Sequence, residues 1–309
     1  MKNKNESKNI YKAFGLNWES NNLPLSELLI EKNDSKADVT ISNEDSNSWE
    51  PINSSKYETH FLNFIDNEIR LKIKDIANFR ISNGNQISFD KANNSVKYSD
   101  IKAFLLGSVF GAILIQRDLL VLHGNALEKN GEAIVCVGQT GIGKSTLAYA
   151  LVEKGWKLLS DDLVVVSDDL EVLPGIPRIK LWQDATKAFK INTKNLSKVR
   201  DEIDKFIWVP AKNQISQNKV KLSKVFVLTN QNPTKSEDNI ITRIESEKIS
   251  FLMLRNNAFR PRFVKGLKKE GKNFLRLAKL QKFLPIFKMN LPKKISEMNS
   301  WLEENDLLN

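Results

Sequence analysis

The sequence is poor in the residues that most often carry redox, disulfide and metal chemistry. Its 309 residues include one cysteine, Cys136, and two histidines. A single cysteine excludes an intramolecular disulfide, and Cys136 lies in an apolar run where a small buried side chain is more common than a nucleophile. His60 has no chemical partner near it in the sequence, so we interpret it as structural or solvent-exposed. The first 98 residues also show no metal-ligand spacing.

A long uninterrupted hydrophobic run is missing as well. The apolar stretch 103–116 is bounded by Lys102 and Arg117 and contains two glycines and a serine. It is shorter than the roughly 20 residues that span a bilayer, so we expect a buried helix. The first nine residues contain lysines with no apolar segment behind them, unlike a secretory signal. Both observations predict a cytoplasmic protein without a membrane partner.

Positive charge is in excess, at a net +10, and is concentrated in the last third of the chain between Arg255 and Lys288. The same segment has apolar residues at helical spacing, which favours lysines on the solvated face of an amphipathic helix. Docking of an acidic peptide or partner is the second interpretation. Nucleic acid is not favoured as a partner, because no recognition motif accompanies the charge.

A complete phosphate-binding loop is the strongest motif in the chain. Residues 138–145 match G-x-x-x-x-G-K-[ST] between the apolar run 133–137 and a helix-like segment at 146–152. In such a loop the backbone N–H groups surround phosphate oxygens, the lysine contacts the β and γ phosphates, and the hydroxyl holds Mg²⁺. The motif predicts a nucleoside triphosphate site, for which we expect ATP and Mg²⁺. The nucleotide-binding residues are Gly138, Gln139, Thr140, Gly141, Ile142, Gly143, Lys144, Ser145 and Thr146.

Two adjacent aspartates follow the loop at a distance that suits phosphoryl transfer. Asp161 and Asp162 lie between the β-like runs 156–160 and 163–167, so we expect them at a strand end on the same rim as the loop. One carboxylate can hold Mg²⁺ while its neighbour accepts the proton of an attacking hydroxyl. The alternative is a polar turn between two strands.

At these residues the chain resembles a known family. His123 and Gly124, the phosphate loop and the aspartate pair are similar, in order and spacing, to the catalytic core of HPr kinase/phosphorylase and its relatives. The resemblance covers residues 118–182 well and extends loosely to about 265, and its specificity lies in the combination of motifs. It implies an α/β fold: a P-loop catalytic domain like that of HPr kinase and phosphoenolpyruvate carboxykinase, preceded by a smaller β-rich N-terminal domain.

The resemblance also implies a role for each matching residue. The first aspartate would be the general base and the second would assist it and contact the metal. The histidine would lie near the reacting phosphate, and a late arginine would help neutralise the transferred phosphoryl group. The set implied as catalytic is His123, Lys144, Asp161, Asp162 and Arg260. The metal ligands implied are Ser145 and Asp162.

The stretch 173–185 separates this chain from the enzyme that acts on HPr. It is similar to a segment of HPr-kinase-related proteins from peptide-modification clusters, which favours a serine of a peptide or small protein as acceptor. It replaces a glycine-rich signature tied to the reverse reaction, so we expect a kinase without phosphorylase activity. A small-molecule kinase acting on a serine-type hydroxyl and a non-catalytic nucleotide-binding scaffold stay open as alternatives, and so does a homo-oligomer.

The chain is long enough for more than one domain. Polar and apolar residues alternate over 68–74, and Asn83 and Gly84 separate two further β-like runs, which predicts a hairpin. We therefore expect a β-rich module over 1–98 that binds substrate or mediates dimerisation. A catalytic domain over 99–265 and a basic helical tail over 266–309 would follow.

Overall fold

A computed structural model of the chain describes residues 9–20, 23–31, 35–50, 61–230 and 240–305. The chain divides into two compact units. Unit 1 contains residues 1–118 and 262–269, and unit 2 contains residues 119–261 and 270–309. His60 and its interpretation lie outside the described residues.

Unit 1 is built on an eight-stranded sheet in the order β3-β1-β2-β4-β8-β7-β6-β5. Its strands are β1 (Asn9–Ala13), β2 (Leu16–Ser20), β3 (Leu29–Glu31), β4 (Val39–Asn43), β5 (Leu62–Ile65), β6 (Glu68–Ile73), β7 (Ala77–Ser82) and β8 (Gln86–Lys91). The hairpin predicted around Asn83 and Gly84 is confirmed, because β7 and β8 pair antiparallel across that turn. Asn83 and Gly84 have positive φ, of 56° and 69°, as the central residues of a type I′ turn require, and the N–H of Asn85 donates to the carbonyl of Ser82 at 3.2 Å.

A helical stretch follows β8 in unit 1. It consists of α1 (Tyr98–Phe104), a π-helical turn at Leu105–Val109 and α2 (Phe110–Gln116). Its 19 residues, with a mean hydropathy of 1.5, are long and apolar enough to cross a membrane, but 61 % of that window is buried inside the protein. The Phe110 ring stacks on Trp18 of β2 with 3.7 Å between the centroids. The expected buried helix is thus present, and it packs on the sheet of its own unit.

Unit 2 contains a seven-stranded sheet in the order β10-β9-β11-β12-β16-β18-β17, in which β10 also pairs with β16. A three-stranded sheet in the order β13-β15-β14 lies in the same unit. The strands are β9 (Leu120–Lys129), β10 (Glu132–Val137), β11 (Lys157–Val166), β12 (Glu171–Leu173), β13 (Ile179–Trp182), β14 (Lys198–Arg200), β15 (Ile203–Trp208), β16 (Val220–Asn230), β17 (Ile241–Arg243) and β18 (Ile286–Leu291). The remaining helices of the chain are α3 (Lys144–Glu153), α4 (Gln183–Ala188), α5 (Glu247–Asn256), α6 (Pro261–Gly266), α7 (Glu270–Phe283) and α8 (Met298–Glu304).

Helices cover both faces of the seven-stranded sheet. One core joins the sheet to α3, α4 and α8 through residues such as Leu147, Ala185 and Trp301. The other joins it to α5 and α7, where Leu254, Leu277 and Leu280 are buried. The strands between them read as apolar runs, as expected for a sheet buried on two sides. This layering fixes the loop after β10 at one edge of a rigid sheet.

The division of the chain differs from the expected one at two places. The helical stretch Tyr98–Gln116 belongs to unit 1 and not to the catalytic unit, because its apolar side chains pack on the N-terminal sheet. The expected helical tail contains β18, which lies between β16 and β17 and is hydrogen-bonded to both. Residues 270–309 are therefore part of the unit that carries the phosphate loop.

Candidate active site

The phosphate loop connects β10 to α3. Gly141 and Gly143 have φ of 85° and 107°, so the turn uses backbone conformations that side chains other than glycine rarely adopt. The Nζ of Lys144 donates hydrogen bonds to the carbonyl oxygens of Gly138, at 2.7 Å, and Gln139, at 2.9 Å. Burial lowers the pKa of Lys144, while Asp161 and its neighbour favour the charged form. The Lys144 ammonium thus lies against the loop at the start of α3, and the first backbone N–H groups of a helix favour an anion.

The aspartate pair lies in the middle of β11, so the expectation of a strand end is wrong. β11 is one continuous strand that pairs antiparallel with β9, with Asp161 opposite Asn125 and Asp162 opposite Gly124. Two neighbours in a regular strand point to opposite faces. Asp162 has a φ of 77°, in the left-handed region, which interrupts that alternation. Both carboxylates consequently line one cavity.

Asp161 contacts the last residue of the loop motif. The Ser145 hydroxyl lies 3.1 Å from each carboxylate oxygen of Asp161, and the backbone N–H of Lys180 donates to Oδ2 at 3.2 Å. Asp161 is 7 % exposed. Burial, together with the nearby charge of Asp162, raises the pKa of Asp161. The Ser145 hydroxyl thus contacts Asp161, whereas the resemblance pairs Ser145 with Asp162 as metal ligands.

Asp162 is held by two other groups. Its Oδ2 forms an ion pair with Lys180, and its Oδ1 lies 3.5 Å from Nδ1 of His123. Burial alone would raise the pKa of Asp162, but the Lys180 ammonium outweighs it and holds the pKa well below its usual range. Burial and the charge of Lys144 lower the pKa of His123, so the imidazole is neutral near pH 7.

These residues share one cavity of about 470 Å³. Its lining includes residues 140–146 of the loop, His123, Asp161, Asp162, Lys180, Trp182 and Lys205. Lys180 and Lys205 are absent from the set inferred from sequence. The alternation of Lys180 and Trp182 on β13 could have indicated from the sequence that Lys180 faces the site. Lys205 reaches the cavity only because β15 pairs with β13.

Arg260 has a different position from the other sequence candidates. It is exposed, with a φ of 45°, and it is not among the described residues that line the cavity. The segment before it pairs with β9: the N–H of His123 donates to the carbonyl of Asn257 at 2.9 Å, and that of Phe259 donates to Val121 at 2.9 Å. The backbone therefore brings this segment beside His123 while the guanidinium lies outside the lining.

The oxygen ligands at the site suit Mg²⁺. The Ser145 hydroxyl and the two carboxylates are hard donors, and the residues that the structure describes contain no group of three or more histidine, cysteine or acidic side chains that could hold a metal ion by themselves. Mg²⁺ commonly binds through one or two carboxylates together with substrate phosphates instead of a protein cage. Ser145 and the aspartates thus fit a metal that arrives with the nucleotide.

Gly124 in the His-Gly pair has a packing role, and this leads to a stability prediction. A Cβ built on Gly124 would lie 2.5 Å from the carbonyl oxygen of Cys136 on the neighbouring strand. Gly124→Ala should therefore lower the free energy of unfolding by about 2 kcal/mol, as expected for overpacking of a rigid core. Urea denaturation followed by circular dichroism measures it. A Cβ built on Gly131 would meet no atom within 4 Å, but the positive φ of Gly131 would strain an alanine there. Gly107→Ala is the better control, because a Cβ built on Gly107 also meets no atom within 4 Å and its φ is not positive. An equal loss in both variants would contradict the explanation.

A glycine-rich phosphate loop and paired carboxylates on a helix-covered sheet define a P-loop nucleotide-binding domain. The family model of the HPr Serine kinase C-terminal domain matches residues 117–178, which contain β9 to β12 and the whole loop. The chain is therefore similar to the HPr Serine kinase C-terminal domain over these residues, and the resemblance noted from the sequence is confirmed there.

Curated relatives also match part of the chain. HPr kinase/phosphorylase of Chlorobium phaeobacteroides (strain BS1) is 30 % identical over 128 residues, which cover 36 % of this chain and 37 % of the relative. That of Lachnoclostridium phytofermentans is 45 % identical over 51 residues, or 16 % of each chain. The chain thus spans little more than a third of the length of such relatives. The solved HPr(Ser) kinase/phosphatase from Coxiella burnetii aligns with a TM-score of 0.30 and 13 % identity, covering 60 % of this chain and 93 % of that one.

Proposed function

We propose that the protein is an ATP-dependent kinase that transfers the γ-phosphate to a hydroxyl, most simply a serine of a peptide or small protein. The observation that carries the proposal is the single cavity in which a complete phosphate loop meets two aspartates of opposite pKa shift. Phosphoryl transfer needs a nucleotide cradle, a metal-facing carboxylate and a proton acceptor in one place.

In this proposal Asp161 is the general base. The acceptor oxygen bonds to the γ-phosphorus, its proton passes to Asp161, and the bond from the γ-phosphorus to the bridging oxygen breaks to release ADP. Burial leaves Asp161 the more basic of the two carboxylates, while Lys180 keeps Asp162 ionised. Mg²⁺ bound by Ser145 and Asp162 would offset charge on the phosphates.

The other residues of the site neutralise charge on the phosphates and position the reacting groups. Lys144 supplies a positive charge at the phosphates, and neutral His123 can donate a hydrogen bond from one ring nitrogen without adding a charge. In the structure the Ser145 hydroxyl is bonded to Asp161. Binding of the metal by Ser145 would release that carboxylate for the acceptor.

The acceptor and its setting are part of the proposal. The relatives are named for HPr. Residues 173–185 resemble a segment of HPr-kinase-related proteins from peptide-modification clusters, so we propose a peptide acceptor and no phosphorylase activity. An acidic peptide would suit the positive charge of the last third of the chain. We place the reaction in the cytoplasm and assign acceptor binding or dimerisation to the β-rich module of residues 1–98. A serine-type metabolite kinase and a nucleotide-binding scaffold are the competing functions.

The test uses purified full-length protein with γ-labelled ATP, Mg²⁺ and three acceptor pools: peptides encoded beside its gene, small proteins and hydroxylated metabolites. We expect label in the peptide or protein pool. Label in the metabolite pool alone would favour the small-molecule kinase, and tight ATP binding with no label in any pool would favour the scaffold. Adding inorganic phosphate to the labelled product should release no pyrophosphate.

A further inference from the structure

The cavity contains lysines that the phosphate loop does not supply. Lys180 and Trp182 are two residues apart on β13, so they lie on one face of that strand. Lys205 on β15 is the register partner of Trp182. All three line the cavity with Lys144. The three-stranded sheet therefore adds two ammonium groups to the nucleotide site.

The two added lysines differ in their surroundings. Lys180 is paired with the carboxylate of Asp162. Lys205 forms no ion pair within the part of the chain that the structure describes, and its Nζ lies 5.1 Å from the centre of the Trp182 ring. It is half-buried, and burial, followed by the charge of Lys180, lowers its pKa. Asp162 and Asp161 act in the opposite direction, but neither forms an ion pair with Lys205 in the described residues. A half-buried ammonium beside Lys180 that no carboxylate pairs with suits a bound anion.

The position of Lys205 relative to the loop indicates which anion. Lys205 lies on the strand that pairs with β13, and Lys180 of β13 donates its N–H to Asp161 and pairs its ammonium with Asp162. Lys205 therefore enters the cavity on the side of the two aspartates, where the γ-phosphate would meet the general base. Arg260, the arginine expected to neutralise that phosphate, is not among the described lining residues.

We propose that Lys205, supported by the Trp182 ring, binds the terminal phosphate of the nucleotide and so distinguishes a triphosphate from a diphosphate. The inference rests on the proposed function, since it assumes a nucleotide in the loop. The Trp182 ring lies beside the ammonium and stabilises its charge, and the ammonium donates to a γ-phosphate oxygen. ADP has no oxygen at this position.

The experiment measures binding of MgATP and MgADP by isothermal titration calorimetry, which needs no knowledge of the acceptor. Lys205→Met keeps the apolar chain against Trp182 and removes the charge. It should weaken MgATP binding about 10- to 100-fold, the usual range for a lost charge-assisted hydrogen bond. MgADP binding should change by less than about twofold, and Lys205→Arg should recover most of the MgATP affinity.

Lys187→Met is the matched control, because Lys187 is exposed on α4 and is outside the lining. It should leave both affinities unchanged. Equal weakening of MgATP and MgADP in Lys205→Met, or no weakening, would overturn the inference and leave the proposed function standing. Failure of the wild-type protein to bind either nucleotide would overturn the proposed function and the inference together.

Discussion

Asp161→Asn is expected to leave ATP binding within about twofold and to lower the rate of phosphate transfer about 10²- to 10⁴-fold, the usual contribution of a general base. The amide keeps the size of the side chain and can still accept from Ser145 and from the N–H of Lys180. It cannot take the proton of the acceptor. Single-turnover transfer of labelled phosphate, with ATP binding measured in parallel, separates the two effects.

Asp169→Asn is the control, since it makes the same chemical change at an exposed aspartate that is outside the cavity lining. A transfer rate above about a tenth of wild type in Asp161→Asn would contradict the role of base. The contact between Ser145 and Asp161 allows a sharper distinction. If Asp161→Asn loses the Mg²⁺ dependence of ATP binding while Asp162→Asn abolishes transfer, the two aspartates have exchanged roles.

Lys180→Met should lower the free energy of unfolding by about 3 kcal/mol, because it leaves Asp162 without its counter-ion. The Lys180 and Asp162 side chains are 14 % and 29 % exposed, so the loss of unfolding free energy should fall at the low end of the range for broken buried ion pairs. Urea denaturation gives the value. Adding Asp162→Asn removes the charge that is left unpaired, and the double variant should recover about half of the loss.

Lys219→Met is the matched comparison, since it breaks an ion pair with Glu171 in which Lys219 is 60 % exposed. The cost there should be much smaller than at Lys180, because water screens an exposed pair. Equal losses at Lys180 and Lys219, or no recovery in the double variant, would show that Lys180 does not act through Asp162.

Local motifs could be read from the sequence, and non-local pairing could not. The loop is recognisable because its glycines, Lys144 and Ser145 follow one another at fixed spacing. The hairpin at Asn83 and Gly84 is recognisable for the same reason. Lys205 is separated from the loop by about 60 residues and enters the cavity through strand pairing, which no local pattern reports.

Two expectations differed from the structure for identifiable reasons. The aspartate pair looks like a turn between two short strands because two acidic residues interrupt an apolar run, yet a single left-handed residue, Asp162, accommodates it inside β11. The second is the basic helical tail expected over 266–309, in which Pro285 and Pro292 favour breaks between short helices. They flank β18, and a strand bounded by prolines is not distinguishable by composition from a linker between helices.

The place of β18 has a consequence for synthesis of the protein. This strand lies between β16 and β17, and Leu291 at its end lines the cavity and packs near Gly143. A ribosome that has translated the loop and both aspartates has still not supplied this strand, which pairs with β16. The cavity lining is therefore completed only after Met298 leaves the exit tunnel, so the nascent chain spends more than 100 codons with its phosphate loop made and one part of the cavity wall missing.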